Sequence, residues 1–424
     1  MHEFDSPQRP LARTGGEPTE NPVVAPDVPV SAMNTMNAMT ESLATSTQSA
    51  EGVLELDSQG NGHLRQVSNN FLPSPQDVRV PNRLIQKYFL KEGLHLQGPT
   101  GIARRRNNRR GGGGPPHKEL LEVESINGYK IEELPPPRHY QELVSEHPSK
   151  RLRLSQDPEG PISLRVIDLM TPVGRGQRGL IVAAPKTGKT ILLEEIGFAI
   201  CQFYPEIHLF VLLIDERPEE VTHMRRAVKG QVIASTSDGT SANHLRIARL
   251  VLERSRRLVE MGEDVVILLD SITRLGRAAN REQKGRGKTM SGGIDSRALE
   301  FPRQFFGAAR NIEDGGSLTI LGTALVDTGS QMDEVIFNEF KGTGNMELVL
   351  DRKLAESRIF PAIDISRSGT RKEELLLDEE ELPKMHLLRR ALAGLKPTEA
   401  MALLLDKMKK TKSNKELLDP INVK

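Results

Sequence analysis

Residues 181–196 read IVAAPKTGKTILLEEI, and the fold of most of the chain turns on how this stretch is understood. The apolar run GLIVAA, residues 179–184, leads into Pro-Lys-Thr-Gly-Lys-Thr and then into TILLEEIGFAICQ, whose apolar spacing predicts a helix. Strand, tight turn and helix in that order make a phosphate loop, because backbone N–H groups and the helix N-terminus all point at an anion. Lys189 is then placed to reach the β and γ phosphates of a nucleotide, and the Thr190 hydroxyl to bind Mg²⁺. The common pattern has a glycine five places before Gly188, where this chain has Ala183. Alanine is acceptable there if its φ is negative, since glycine is required only where φ is positive or space is absent.

Two further apolar runs end in carboxylates. In DVVILLDSITRL, residues 264–275, Asp270 stands at a strand's C-terminal end, where a carboxylate orients Mg²⁺ through water; capping the following helix is the plainer role. In VLLIDERPEEV, residues 211–221, the strand ends in Asp215-Glu216-Arg217. Glu216 is the candidate for polarising an attacking water and Arg217 for sensing phosphate, against the plainer reading of a charged loop start before Pro218. Together with QVIAST and SLTILGTALVD these runs are nearly continuous in apolar residues and alternate with helical stretches such as 241–260 and 296–309. Buried parallel strands covered by helices on both faces have this pattern, so residues 160–424 are expected to form an α/β domain ending in amphipathic helix.

The chain has 424 residues, 37% hydrophobic and 27% charged, enough for two or three domains. It has no apolar run near the roughly 20 residues that span a bilayer, no opening signal segment, and one cysteine, Cys201, expected to be a buried small residue. A cytoplasmic protein without membrane association is the expectation. A net charge of +1 means that any contact with a polyanion must be local. Residues 1–50, rich in Pro, Ser, Thr, Met and Ala, are expected to be a disordered tail. Residues 51–126 carry short strand candidates between Gly, Pro and Asn turns, which suggests a small β-barrel. A basic, glycine-rich insertion, RRRNNRRGGGGPP at 104–116, interrupts it, and a proline-rich connector spans 127–159.

Taken together, APKTGKT, LLIDERPEEV, ILLDSITRL, FFGAARNIEDGGSLTI, DTGSQMDEVIFNEFKGTGNMEL and IFPAIDISRSGTRKEELL closely resemble the Rho family of transcription termination factors. The match is dense over residues 160–412, looser over 51–150, and leaves out 1–50. The resemblance implies a RecA-like P-loop ATPase domain after an OB-fold, cold-shock-like barrel. It further implies a homohexamer with ATP between subunits, movement 5′-to-3′ on single-stranded RNA, and release of RNA from the RNA polymerase elongation complex. In this family the loop lacks its first glycine, so Ala183 is a shared trait. Lys186, Thr187, Gly188, Lys189, Thr190 and Ile191 then form the phosphate-binding turn, with Lys186 an added contact. Gly174, Arg175, Gly176, Gln177, Arg178 and Gly179 resemble a loop beside the nucleotide, or else form a tight turn into the strand. Phe360 resembles the residue that stacks on adenine, with a core aromatic as the alternative, and Arg371 the arginine finger given to a neighbour's ATP, with a solvated surface arginine as the alternative.

For RNA, the family's channel loop corresponds to residues 281–295, with Lys288, Thr289, Gly292 and Gly293 at matching places. Cations there suit phosphates, and glycines allow close backbone approach. A second channel loop, DTGSQMDE, contains Thr328, but Gln331 stands where a lysine is expected. In the barrel the expected aromatic signature is replaced by GNGHLR, residues 60–65: Asn61 and His63 take the stacking positions and Arg65 is retained. Arg79 and His117 stand where tyrosines are expected. Base stacking, worth about 1–3 kcal/mol per base on aromatics, should be poorer, and the basic insertion could offset it. Two other classes share parts of this pattern. An ATP synthase-type catalytic subunit would favour Gly at 183 and would carry no basic channel loop or RNA-type barrel. A scaffold using ATP only for assembly would need to have lost Glu216 or Arg371.

Overall fold

The computed structural model describes residues 48–57, 59–103, 116–283 and 291–422. Most of the expected N-terminal tail (1–47), nearly all of the basic insertion, and Lys288 and Thr289 lie outside the described residues.

The barrel closes on itself. β1 (Ser49–Leu56) pairs with β2 (Gly62–Arg65) and with β4 (His95–Ala103); β2 pairs with β3 (Val78–Val80); β5 (His117–Leu120) joins β3 to β4. Closure leaves no open sheet edge. Leu54, Leu64, Val80, Leu96 and Leu120 fill the interior. β1 begins at Ser49, ahead of the expected boundary at 51, because Ser49 and Ala50 pair with Pro99 and Gly98 chiefly through the backbone. Such pairing leaves no apolar pattern to read.

The second layer is the expected α/β domain. Its central sheet runs in the order β8-β7-β9-β10-β6-β11-β12, where β6 is Arg178–Ala183, β7 His208–Glu216, β8 Gln231–Thr236, β9 Asp264–Asp270, β10 Ser317–Leu325, β11 Met346–Leu350 and β12 Gly369–Thr370. All neighbours along this path are parallel except β11 and β12. Alternate residues go to opposite faces. Ile181 and Ala183 belong to the core on one face, Leu180 and Val182 to the core on the other. That double burial is why the strands read as unbroken apolar runs. The first core is covered by α1 (Ile162–Met170), α2 (Lys189–Phe203) and α3 (Pro218–Ala227), the second by α4 (Ser241–Val259), α5 (Ile272–Gln283), α6 (Glu300–Gly307) and α7 (Gln331–Lys341). The C-terminal amphipathic stretch divides into α8 (Glu381–Ala393) and α9 (Pro397–Met408). Gly394 ends the first helix and Pro397 opens the second, where a missing N–H costs nothing.

Residues 48–424 form one compact unit, and the barrel is bonded to α4. Glu55, almost fully buried, accepts from Arg65 within the barrel and from Arg246 Nη1 of α4 at 2.7 Å, while Arg246 Nη2 donates to the Phe71 carbonyl at 2.8 Å. Gly93 (φ 88) lies so close to α4 that a Cβ would stand 2.4 Å from the Glu253 carbonyl carbon. At the other end of the chain, Arg165 of α1 donates to the carbonyls of Met408, Thr411 and Ser413 and so ties the C-terminal segment beside the nucleotide loop. Among the described residues no helix is long and apolar enough to cross a membrane.

Candidate nucleotide site and nucleic-acid surface

The C-terminal tips of β6, β7, β9 and β10 converge at one end of the sheet, where open α/β folds bind ligands. β6 ends at Ala183, fully buried, extended and paired with Leu325 and Leu350. Its φ is not positive, so the condition for alanine is met. The left-handed turns fall further on, at Lys186 (φ 67) and Gly188 (φ 91). Thr187 Oγ1 closes the loop by donating to the Ala184 carbonyl at 2.7 Å.

Lys189 opens α2 and spans the tips: its Nζ donates to Asp270 Oδ1 at 2.6 Å and lies 3.5 Å from Glu216 Oε1. Thr323 Oγ1 also donates to Asp270 Oδ1, at 2.7 Å. Both bonds fall on Oδ1 of this buried carboxylate and none on its Oδ2. With Thr190 in the first turn of α2, that donor set fits a Mg²⁺ carried in with the nucleotide.

Glu216 reaches the site through a bulge. The β7–β8 register shifts between Ile214 and Glu216, and Asp215 adopts φ 58. The extra residue re-aims the one after it. Arg274, in the first turn of α5, lies with Nε 3.0 Å from Glu216 Oε1 and donates from Nη1 to Asp215 Oδ2 at 3.2 Å. Sequence reasoning singled out neither Arg274 nor Asp215; the signal was the Asp-Glu doublet and an arginine one turn after Asp270. Arg217 is exposed at the N-cap of α3. Burial, and then the Asp270 carboxylate, push Glu216 up to about 7, against Lys189 and Arg274, which pull it down. Burial pulls Lys189 down, but Asp270 and Glu216 outweigh it and the ammonium is held above its ordinary value.

Beside the loop, a cavity of about 260 Å³ is lined by Thr187, Gly188, Ile191, Leu192, Phe360 and Pro361. Phe360 is 47% exposed, which sets aside a core aromatic, and a Cβ on Gly188 would stand 3.9 Å from its ring. A flat apolar slot next to a phosphate loop suits a purine base. Cys201 is half-buried, with its thiol pushed up by burial, as an unreactive packing residue would be.

Arg371 is elsewhere. It is exposed, donates its backbone N–H to the Asn345 carbonyl at 2.8 Å, and shares a cavity of about 310 Å³ with Lys341 and Arg367 at the N-terminal end of β11. A strand length, on the order of 17–20 Å, separates that end from the phosphate loop of the same chain.

The described parts of the two loops expected to contact RNA meet. Gly292 and Gly293 both have φ 74, and a Cβ on Gly292 would stand 3.0 Å from the Gln331 carbonyl oxygen. Thr328 Oγ1 donates to Asp333 Oδ2 at 2.6 Å, and Arg277 Nε to Asp333 Oδ1 at 2.7 Å, while Gln331 is exposed at the start of α7. On the barrel, His63 faces Arg79 across the β2–β3 pair, Arg79 Nη2 donates to Asn61 Oδ1 at 3.0 Å, and His117 lies 3.5 Å from Glu119, the pairing partner of Arg79. Asn61, His63, Arg79 and His117 thus share one face. Burial and then Arg65 hold His63 below its ordinary value, so it brings no charge at neutral pH.

Residues 163–370 match the family described as ATP synthase alpha/beta family, nucleotide-binding domain, and residues 50–132 match the Rho termination factor, RNA-binding domain. The transcription termination factor Rho of Cereibacter sphaeroides is 50% identical over 374 residues, which is 88% of this chain and 87% of that protein. The chain belongs to the Rho family of transcription termination factors. It is 54% identical to the Streptomyces lividans Rho over 83% of this chain, yet spans about half (49%) of that relative's length. Among solved structures, an ATPase from the type III secretion system of pathogenic bacteria matches with a TM-score of 0.55 at 21% identity, covering 72% of this chain and 93% of that one. That likeness concerns the fold.

The geometry bears on two expectations drawn from the Rho resemblance. Gly174–Gly179 are not beside this chain's phosphate loop. They turn into the opposite end of β6, where Arg175 pairs with Asp264 and Glu206, Gln177 is buried with Nε2 bonded to Asn345 Oδ1 at 2.6 Å, and a Cβ on Gly176 would stand 2.2 Å from Asn311 N. The motif makes a tight turn and shares Asn345 with Arg371. Arg65, expected to contact RNA, is held between Glu55 and Asp77 and is largely buried. Its charge is satisfied within the barrel, so a phosphate would compete with two carboxylates for it.

Proposed function

We propose that this Rho-family chain is an RNA-stimulated ATPase that works as a homohexameric ring in the cytoplasm, moves 5′-to-3′ on single-stranded RNA, and releases the transcript from the RNA polymerase elongation complex. The observation that carries this is the division of the catalytic set between opposite ends of one sheet. Lys189, Asp270 and Glu216 converge at one end, and Arg371 stands at the other with no route to them inside the chain. A second copy, placed end to side, would complete each site. Gly174–Gly179 and Arg371 would then face the neighbour's nucleotide together.

Within that seam Lys189 would hold the β and γ phosphates, Lys186 and Arg217 would add cationic contacts, and Phe360 would cover the adenine. Glu216, as carboxylate, would accept a proton as water forms the new bond to the γ phosphorus and the bond to the β–γ bridging oxygen breaks. Mg²⁺, bound with ATP against Thr190 and Asp270, would supply neutralisation of phosphate charge. The barrel face and the Gly292–Gln331 contact would hold RNA. The test is ATP hydrolysis by the full chain with and without single-stranded RNA, together with native mass. Turnover by a monomer, indifferent to RNA, would refute the proposal. An ATP synthase-type role is disfavoured by the match of residues 50–132 to an RNA-binding domain, and a passive scaffold by the assembled Lys189–Asp270–Glu216 set.

Two expected results belong here. Phe360→Ala should raise the KM for ATP about 5- to 160-fold with kcat within a factor of two, since base stacking contributes about 1–3 kcal/mol; steady-state kinetics decide it. Restoring rings to the barrel with Asn61→Phe and His63→Phe together should tighten binding of oligo(C) about 10- to 100-fold, by the same stacking term. Titration of labelled oligo(C) and oligo(A) at matched salt checks both the gain and a sharper pyrimidine preference.

A further inference from the structure

Behind the hydrolytic edge lies a buried polar cluster that none of the nucleotide contacts uses. His244, in the first turn of α4, is 1% exposed. Its Nδ1 lies 2.6 Å from Ser235 Oγ at the end of β8, and that oxygen also accepts from Asn243 Nδ2 at 3.3 Å. The polar group facing Nε2 is the Asp215 carboxylate, an acceptor only, which favours the tautomer with the ring proton on Nε2 and the Ser235 hydroxyl donating to Nδ1. Nε2 is buried with no hydrogen-bond partner and lies 4.0 Å from Asp215 Oδ1. Most buried ring nitrogens are hydrogen-bonded; this one is left unpaired, with the Asp215 carboxylate beyond hydrogen-bond length but close enough to feel its charge. The trio resembles a serine nucleophile set, but Ser235 is 3% exposed and sealed behind the strand, out of reach of any substrate.

Asp215 is the bulge residue that turns Glu216 into the site. Its Oδ2 accepts from Arg274 Nη1 at 3.2 Å and lies 3.6 Å from Arg281 Nη2, and Arg274 Nε is in turn 3.0 Å from Glu216 Oε1. We propose that His244 is a positioning residue for ATP hydrolysis: its Nε2–H steers Asp215, Asp215 holds Arg274, and Arg274 fixes the Glu216 carboxylate in the orientation that faces the γ phosphate. The inference rests on the assignment of Glu216 to water activation. It adds a residue that touches neither nucleotide nor metal and lies on a different helix from every other member of the site.

Two substitutions separate positioning from packing. His244→Gln keeps an amide N–H near the place of Nε2, whereas His244→Asn reaches only as far as Ser235. In the RNA-stimulated full-length protein, His244→Asn should lower kcat about 10- to 100-fold with the KM for ATP unchanged, since a small misplacement of a reacting group carries a cost of that size. His244→Gln should stay within about threefold of the parent, because the donor is kept. The groups facing Glu216 are Asp270, Lys189, Arg274 and Glu220, and those facing His244 are Asp215, Arg281 and Arg274. With Asp215 unanchored, Arg274 loosens from Glu216, so the acid limb of the kcat profile should move to higher pH in His244→Asn but not in His244→Gln. Equal losses in the two variants, or an unshifted limb in His244→Asn, would overturn the proposal. If His244→Asn does not fold, Asp215→Asn breaks the same relay one step on and must show the same limb shift. Glu216→Gln is run alongside: turnover in that variant would remove the assignment on which the relay rests, whereas a dead Glu216→Gln beside a fully active His244→Asn would remove the relay alone.

Discussion

Replacing Glu216 with Gln is expected to lower kcat for ATP about 10²- to 10⁴-fold while leaving ATP binding nearly unchanged, the range over which a positioned general base acts. The amide keeps the shape of the side chain, and Lys189 keeps its 2.6 Å bond to Asp270, so the nucleotide loop stays in place although its weaker 3.5 Å pairing with Glu216 is lost. What disappears is the acceptor for the water's proton. Single-turnover hydrolysis against equilibrium ATP binding separates the two effects. The same residue sets the pH profile. Burial and Asp270 raise its pKa to about 7, so the carboxylate form is lost, and turnover with it, as pH falls through that value. The linkage to stability runs the opposite way. A carboxyl raised in the folded state binds more protons there than in the unfolded chain, so its stabilising contribution is fully present below the ordinary Glu range and fades as pH rises toward 7. The charged form that catalysis needs is thus the form the fold tolerates less, held in place by Lys189 and Arg274.

Replacing Arg371 with Ala is expected to lower RNA-stimulated kcat about 10³- to 10⁵-fold, the range found for arginine fingers that stabilise charge on the transferred phosphoryl group. Because Arg371 stands at the far end of the sheet from the phosphate loop of its own chain, the loss should be repaired by a neighbour. Rings assembled from Arg371→Ala protomers mixed with Lys189→Ala protomers would contain seams where an intact Lys189 meets an intact Arg371. Turnover should reappear on mixing, although each variant alone is inactive. No recovery in mixed rings of confirmed hexamer mass would place Arg371 outside the reaction.

The amino-acid sequence by itself determined the α/β class, the phosphate loop and the carboxylate at the tip of β9. Those features rest on local chemistry: doubly buried strands require unbroken apolar runs, and a phosphate-binding turn requires its lysine and hydroxyl at fixed spacing. Position in space was another matter. The similarity of Gly174–Gly179 to a nucleotide-side loop could not show that β6 carries them to the wrong end of their own chain, because direction along a strand is visible in sequence only once its neighbours are known. The similarity of Arg65 to an RNA contact could not show that Glu55 and Asp77 occupy it, since that pairing joins three strands-worth of chain only after the barrel closes. His244 left no motif at all, and Asp215 and Arg274 lie inside motifs that gave them no role of their own. They come from α5, the bulge of β7 and the start of α4, and only parallel packing of β7, β8 and β9 brings Arg274 to 3.0 Å from Glu216 and His244 to 4.0 Å from Asp215. Sequence names the groups whose neighbours along the chain dictate their chemistry; the folded sheet alone decides which distant groups tune them.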